Sequence, residues 1–266
     1  MSKSYTKDEA ISLKKSGFKS MNSMLESFIA KPLPTNPTDT DYIKKAALIS
    51  KWLQQYANYI SFEEKFDPRK SISYKRGDVI FANFGFNIGA ELGGEHYAVI
   101  LDKENHRNSS TVTVIPLSSF KPGKSIHPND LHLGNELYEK LQLKLKTIIP
   151  KLKEESTNHL LMLGLIKEKL TSVETSEKNS TELNALIKEL ENKVTNLEQE
   201  IKKAEKVKAE LLSLKHGSIA KIQQITTISK MRIYNPKNAS DPLYGIKFSE
   251  STMDKINDKL KEFFVF

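Results

Sequence analysis

The sequence predicts an α+β protein in which a small set of strands is preceded by helices and interrupted by a second helical segment. Apolar residues recur at helical spacing in residues 1–71 and 136–216. Residues 72–135 contain runs rich in β-branched and aromatic side chains, which are typical of strands. Residues 217–266 combine a strand-like run with a final helix. We therefore predict four consecutive segments with these bounds.

The composition excludes several functional classes. The chain has 266 residues, a formal charge of +8 and no cysteine. It therefore has no disulfide framework, no thiolate nucleophile and no cysteine-based metal site. The polar N-terminal residues and the short apolar runs predict neither a secretory signal nor a membrane span, so we expect a cytoplasmic protein.

Two helices are expected in residues 1–71, which form a helical N-terminal extension. Three prolines within residues 31–40 end the first helix, because proline removes a backbone donor and fixes φ. The second helix is expected from about Asp41 to Tyr59. Apolar residues recur along the first helix at helix-like spacing: Ile11, Leu13, Phe18, Met21, Leu25 and Phe28.

Three strands are predicted in residues 72–135, joined by loops that are rich in glycine or polar residues. The strand-like runs are Asp78–Gly85, His96–Leu101 and Thr111–Leu117. Pro116 lies within the third run and cannot donate to a ladder, which favours an edge strand or a bulge at that point.

Residues 136–216 predict an antiparallel coiled-coil hairpin inserted between the strands. Leucine or alanine recurs every seven residues over four heptads, with a second apolar position between them. A first helical stretch, Leu137 to Val173, carries Pro150 as an expected kink, and the polar residues 174–180 form a turn. The heptad positions are Leu183, Ile187, Leu190, Val194, Leu197, Ile201, Ala204 and Leu211.

The last segment is expected to contain one strand and one helix. Ser218–Thr227 has the composition of a strand. Ser251 and Asp254 have the spacing of a capping box at the start of the helix.

Several strings of residues, taken in order, resemble the MazF/PemK family of toxin endoribonucleases. They are Tyr74–Gly85, Gly89–Gly94, Tyr97–Leu101, Thr111–Ser118 and Gln224–Ile233. The combination is more specific than any single string. The two helical segments have no counterpart in the short toxins, so the chain resembles a long variant whose barrel is split by an insertion.

The resemblance implies a small SH3-like β-barrel of the MazF/PemK/CcdB type that forms a homodimer. Such proteins bind single-stranded RNA and cut it without a metal or cofactor. The ribose 2′-OH attacks the phosphorus, leaving a 2′,3′-cyclic phosphate and a 5′-OH. A cognate antitoxin protein normally blocks the site, so the resemblance implies the toxin of a type II toxin–antitoxin system.

Two residues take the places of the family's catalytic side chains. His96 lies where the family has an arginine, and Ser118 lies where it has a threonine. A histidine is suited to proton transfer near neutral pH but is a weaker fixed cation than a guanidinium. We therefore expect His96 and Ser118 to be catalytic.

Other groups would have to hold the phosphate. The candidates are the cations Arg76, Lys121 and Lys124, together with Gly93 and Gly94, whose backbone permits close approach of RNA. The six histidines are scattered without the spacing of metal ligands, so no metal site is predicted.

The loss of the family arginine leaves a second interpretation open, namely a catalytically inactive regulator that binds RNA or protein on the same fold.

The distribution of charge along the chain is also informative. The net charge is +4 for residues 1–71 (12 basic, 8 acidic) and zero for 72–135 (6 of each). If RNA binds tightly, the N-terminal helices should contribute to its salt-dependent affinity.

Overall fold

The computed structural model describes residues 4–36, 39–172 and 177–265, without the side chains of 170–180. The chain divides into two compact units, Met1–Phe66 and Asp67–Phe266. Each unit is described by itself below.

The first unit is a pair of helices, α1 (Lys7–Ile29) and α2 (Tyr42–Glu63). Thr6 and Glu9 form a capping box at the start of α1, and the Asp41 side chain accepts the backbone N–H of Lys44 at the start of α2. No residue of α1 is buried, and only two residues of α2 are, namely Ala46 and Ile49. Both expected helices are present, and the second continues four residues beyond Tyr59.

An antiparallel sheet organises the second unit. Its strands in chain order are β1 (Val79–Asn83), β2 (Glu95–Ile100), β3 (Thr111–Ser119), β4 (Leu131–His132), β5 (Ser218–Ala220), β6 (Thr226–Ser229) and β7 (Ile233–Asn235). The order across the sheet is β4-β5-β3-β2-β1-β7, with β6 pairing to β3. Among the described strands β4 and β7 do not pair with each other, so the sheet is open where a closed barrel was expected.

β3 lies in the interior of the sheet and changes partners along its length. Its first residues pair with β6, and its last residues, Leu117 to Ser119, pair with β5. Pro116 lies between these two pairings and faces Ala98 of β2. β3 is therefore an interior strand and not an edge strand, but at Pro116 itself neither β5 nor β6 is in register with it. The proline is tolerated because it occupies the gap between two short partner strands.

Two long helices, α3 (Glu136–Ser172) and α4 (Glu177–Leu211), separate β4 from β5 along the chain. They run antiparallel, since Lys153 of α3 pairs with Glu205 of α4 and Lys167 pairs with Glu191. Pro150 lies within α3. The predicted turn falls partly on residues 173–176, which lie outside the described residues. All predicted heptad positions are buried or half-buried.

The base of these two helices belongs to the main hydrophobic core. Apolar residues of both helices share one cluster with the face of the sheet that carries Tyr97, Val99 and Leu117. The helix residues in the cluster are Leu137, Leu141, Leu145, Ile149, Ala204, Val207 and Leu211. The sheet and the base of the helices are therefore one folded body.

The C-terminal segment differs most from expectation. The run predicted as one strand is broken by a 3₁₀ turn, Ile222–Gln224, which separates β5 from β6. The final helix, α5 (Glu250–Phe264), begins two residues earlier than predicted, and Ser249 rather than Ser251 is its N-cap. The Ser249 hydroxyl accepts the backbone N–H of Thr252 at 3.3 Å. The predicted capping box at Ser251 was therefore wrong.

Candidate functional site

The two predicted catalytic residues lie at the same end of neighbouring strands. His96 is the second residue of β2, and Ser118 is the second-last residue of β3. The strands pair with Ala98 opposite Pro116, and extending that register by two residues places His96 opposite Ser118. Both side chains are half-buried. The antiparallel topology thus brings together residues that are 22 positions apart in sequence.

A depression of about 400 Å³ collects these residues. His96, Ser118 and Lys121 all line it, together with the rings of Phe81 and Tyr97. It also receives three residues from the end of the α3–α4 hairpin and the turn after it, namely Glu210, Ser213 and Leu214. We call this depression the His96 cleft.

The glycine loop before β2 positions the imidazole of His96. Its Nε2 lies 3.0 Å from the carbonyl oxygen of Gly93. Because a carbonyl oxygen can only accept, this nitrogen carries the proton in the contact with Gly93. The ring of Phe84 packs edge-on against the imidazole, with ring centroids 6.3 Å apart.

The predicted glycines are required by the geometry of that loop. A Cβ on Gly93 would lie 2.8 Å from the carbonyl oxygen of Gly85, too close for any side chain. Gly94 has φ +87°, and its N–H and carbonyl bond to Gly85 and Phe84 across the loop. These two residues therefore shape the loop that carries the His96 contact.

The three predicted cations are not together. Lys121 lines the His96 cleft, and Lys124 is exposed in the same turn without lining it. Arg76 is engaged elsewhere: its guanidinium donates to the carbonyl of Leu101 and to the side chain of Asn257 in α5. In this structure Arg76 fastens α5 to the sheet and does not line the cleft.

Carboxylates also face the His96 cleft, which the sequence did not indicate. Glu95 and Glu210 line it beside Lys121. Burial raises the pKa of Glu210, Lys206 lowers it, and the charge of Glu95 raises it further. Burial and the charge of Glu210 raise the pKa of the Tyr97 phenol. The Tyr97 hydroxyl is buried and has no hydrogen-bond partner among the described residues.

A second depression of about 390 Å³ lies beside the glycine loop and contains residues that the sequence reasoning did not nominate. Gln224 accepts the N–H of Leu92 at 3.1 Å, and Arg232 donates to the carbonyl of Phe84 at 3.3 Å. Both lie in the Gln224–Ile233 string that carried the family resemblance. The string therefore marked this part of the chain, although neither residue had been predicted as a site residue.

The geometry defines an antiparallel sheet with a cleft at the ends of two central strands, a class of fold that matches the resemblance. Residues 75–152 match the family model described as PemK-like, MazF-like toxin of type II toxin–antitoxin system. The resemblance is thereby confirmed over this part of the chain. All seven predicted site residues lie within the match, whereas Glu210 and Arg232 lie outside it. No curated protein matches the chain.

The described residues contain neither a candidate membrane-spanning helix nor a cluster of candidate metal ligands. No helix there is both long and apolar enough to cross a membrane. Within the same residues, no group of three or more histidine, cysteine, aspartate or glutamate side chains is arranged to hold a metal ion.

Proposed function

We propose that this protein is the toxin of a type II toxin–antitoxin system and cleaves single-stranded RNA without a metal. The observation that supports this most directly is the convergence of His96, Ser118 and Lys121 in one cleft within the family match. The products would be a 2′,3′-cyclic phosphate and a 5′-OH. As in the family, the active form would be a homodimer blocked by a cognate antitoxin, and it would act in the cytoplasm.

Each residue has a role that fits its chemistry. His96 would exchange a proton with the reacting oxygens, because an imidazole titrates near neutral pH. The Ser118 hydroxyl would donate a hydrogen bond to a phosphoryl oxygen, and the Lys121 ammonium would balance the charge that develops on the phosphorane. Gly93 would hold the imidazole in place through its carbonyl.

The test is cleavage of a long single-stranded RNA by the purified full chain in EDTA, with the ends mapped. We expect His96→Ala to lower cleavage by about 10²- to 10⁴-fold, the usual contribution of a positioned acid or base. His106→Ala is the matched control, since His106 is exposed in the loop at the other end of β2 and β3. Ser118→Ala should lose activity and Ser118→Thr should keep it, because threonine retains the hydroxyl.

Cleavage by the His96→Ala protein at the rate of the unmodified protein would contradict the assignment. The folding of each variant is checked by its urea denaturation midpoint, so that loss of activity is not confused with loss of structure.

A second function, a binding regulator without cleavage, is favoured by one observation. Glu95 and Glu210 place two carboxylates in the His96 cleft, and carboxylates repel a phosphate. Under this proposal the unmodified protein binds RNA or a protein partner but leaves RNA intact. Restoring the family residue with His96→Arg should then produce cleavage, because the guanidinium supplies a fixed, bidentate phosphate contact.

A further inference from the structure

The C-terminal end of α4 is part of the candidate site, although it belongs to the helical insertion. Glu210 lines the same cleft as His96 and Ser118, and it is half-buried there. The charge of Glu210 and burial raise the pKa of the Tyr97 phenol, whose hydroxyl is buried without a partner among the described residues. A buried hydroxyl without a partner is costly in a purely structural role.

Packing fixes the end of α4 against the sheet. Val207, Leu211 and Leu214 are buried in the cluster that also holds Tyr97 and Leu117. Two side chains at the end of α4 and one in the 3₁₀ turn that follows it, Leu212–Leu214, therefore anchor the segment that carries Glu210. The carboxylate has a defined place in the cleft and is not the end of a mobile arm.

Polar contacts add to this anchoring. The Ser119 hydroxyl of β3 lies 3.4 Å from the Ser213 hydroxyl, which in turn donates to the Glu210 carbonyl at 2.8 Å. Two turns before Glu210 in α4, Lys203 pairs with the buried carboxylate of Asp241 at 3.4 Å. The backbone around Glu210 is thus tied directly to the strand that carries Ser118.

We propose that Glu210 is the general base of the cleavage reaction and that His96 is the general acid, an inference that rests on the proposed nuclease function. The Glu210 carboxylate takes the proton of the ribose 2′-OH, and the 2′-oxygen forms its bond to phosphorus. The bond from phosphorus to the 5′-oxygen breaks, and protonated His96 gives its proton to that oxygen. Proton exchange with water then restores both residues.

The surroundings of Glu210 suit a base. The groups that face it are Glu95, His96 and Tyr97 from β2, Lys121 from the loop after β3, and Lys206 on its own helix, 3.8 Å away. Burial and Glu95 move its pKa upward, and Lys206 opposes this. A carboxylate whose pKa lies closer to neutrality is a stronger base while it remains ionised at physiological pH.

The division of roles between Glu210 and His96 would also compensate for the loss of the family arginine. A histidine alone supplies one group for proton transfer, whereas the reaction needs both a base and an acid. Glu210 and His96 together supply the two, and the base comes from the insertion. The insertion is then part of the catalytic apparatus of this chain.

The experiment compares Glu210→Gln with the unmodified full chain on a single-stranded RNA in EDTA, measuring kcat, KM and the pH dependence of kcat/KM. Glu205→Gln is the matched control, because Glu205 is exposed on the same helix and pairs with Lys153. We expect Glu210→Gln to lower kcat by about 10²- to 10³-fold with KM within about threefold. It should also remove the acidic limb of the pH profile.

The outcomes distinguish the role of Glu210 as base from the nuclease function on which it rests. If the unmodified chain cleaves and Glu210→Gln keeps both its rate and the acidic limb, Glu210 is not the base and the nuclease function stands. If the unmodified chain does not cleave, both proposals are wrong. A Glu210→Gln protein that loses rate but keeps the acidic limb would also overturn the role as base, because a merely structural residue gives that result.

Discussion

The two helical additions of this chain look alike in sequence and differ in how they are packed. In α3 and α4 the apolar face at the base is buried in the same core as the sheet. In α1 no residue is buried, and Leu13 and Phe18 are 58% and 71% exposed. One addition shares the hydrophobic core of the sheet, while the other is a compact unit of its own.

An apolar stripe alone therefore does not determine what a helix packs against. Both additions have apolar residues at helical spacing and effective caps or heptads. What distinguishes the α3–α4 pair is that both of its ends connect to strands, β4 and β5, that pair with each other. The chain must therefore leave and return at one place, which brings the base of both helices onto the sheet.

The largest effect that separates the two regions is expected from core truncation. Leu141 of α3 is fully buried, so Leu141→Ala should lower the free energy of unfolding by about 3 kcal/mol. Leu13→Ala in α1 should cost less than about 0.5 kcal/mol, because that side chain is mostly exposed.

Urea denaturation can follow the two units separately. Trp52, the only tryptophan, lies in α2 and reports the first unit by fluorescence, whereas far-ultraviolet circular dichroism is dominated by the larger unit. Leu141→Ala should shift the dichroism transition and leave the Trp52 transition in place. A joint shift of both signals would contradict the separation of the units.

A smaller effect is expected where α3 begins, at Glu136. Its carboxylate accepts hydrogen bonds from the N–H of Ser249 at 2.6 Å, from the Ser249 and Thr252 hydroxyls, and from Lys140 at 2.6 Å. Burial of Glu136 opposes its ionisation, but these bonds outweigh burial and hold its pKa below the ordinary value of 4.5. The insertion is thereby fastened to the start of α5.

Glu136→Gln should therefore lower the free energy of unfolding by about 2 kcal/mol near neutral pH. Because the folded-state pKa is lowered, this stabilisation is fully present above about pH 4.5 and is lost as the pH falls through the folded-state value. Urea midpoints of the two proteins should thus converge in acid. Glu139→Gln, an exposed change on the same helix, is the control, and a pH-independent difference would refute the ionic origin.

The length of a strand largely decided whether it could be predicted from the sequence. The central strands β1 to β3 were predicted within two residues, because long runs of branched and aromatic side chains leave few alternatives. The strands β4 and β7 were missed, since two or three residues carry no periodicity. The break between β5 and β6 was missed because the polar turn at Gln223 and Gln224 looks like the solvent face of a strand.

The residues of the candidate site also differ in whether they could be predicted from the sequence. His96, Ser118 and the glycine loop could be found because they lie in motifs along adjacent strands. Glu210 could not be found, since it is more than 100 positions from His96 and sits at the end of a repetitive, charge-rich helix. Nothing in its local pattern differs from the glutamates that face solvent. Only the return of the hairpin to the sheet places it in the cleft.

The smallest effect is expected in the salt dependence of RNA binding, if the positive charge of the first unit contributes to it. Lys14, Lys15 and Lys19 are exposed on α1, and their combined change to glutamine removes three charges without touching a buried residue. If they contact phosphates, the slope of log affinity against log salt for a single-stranded RNA should fall by up to about 2. Affinity at low salt should fall with it.

A matched variant makes this result specific. Lys151, Lys188 and Lys202 are exposed on the α3–α4 hairpin, and changing them to glutamine alters the net charge by the same amount. A loss confined to the α1 variant assigns the salt-dependent term to the first unit. An equal loss in both variants assigns it to the net charge of the whole chain, because long-range attraction depends on the sum and close phosphate contacts depend on position.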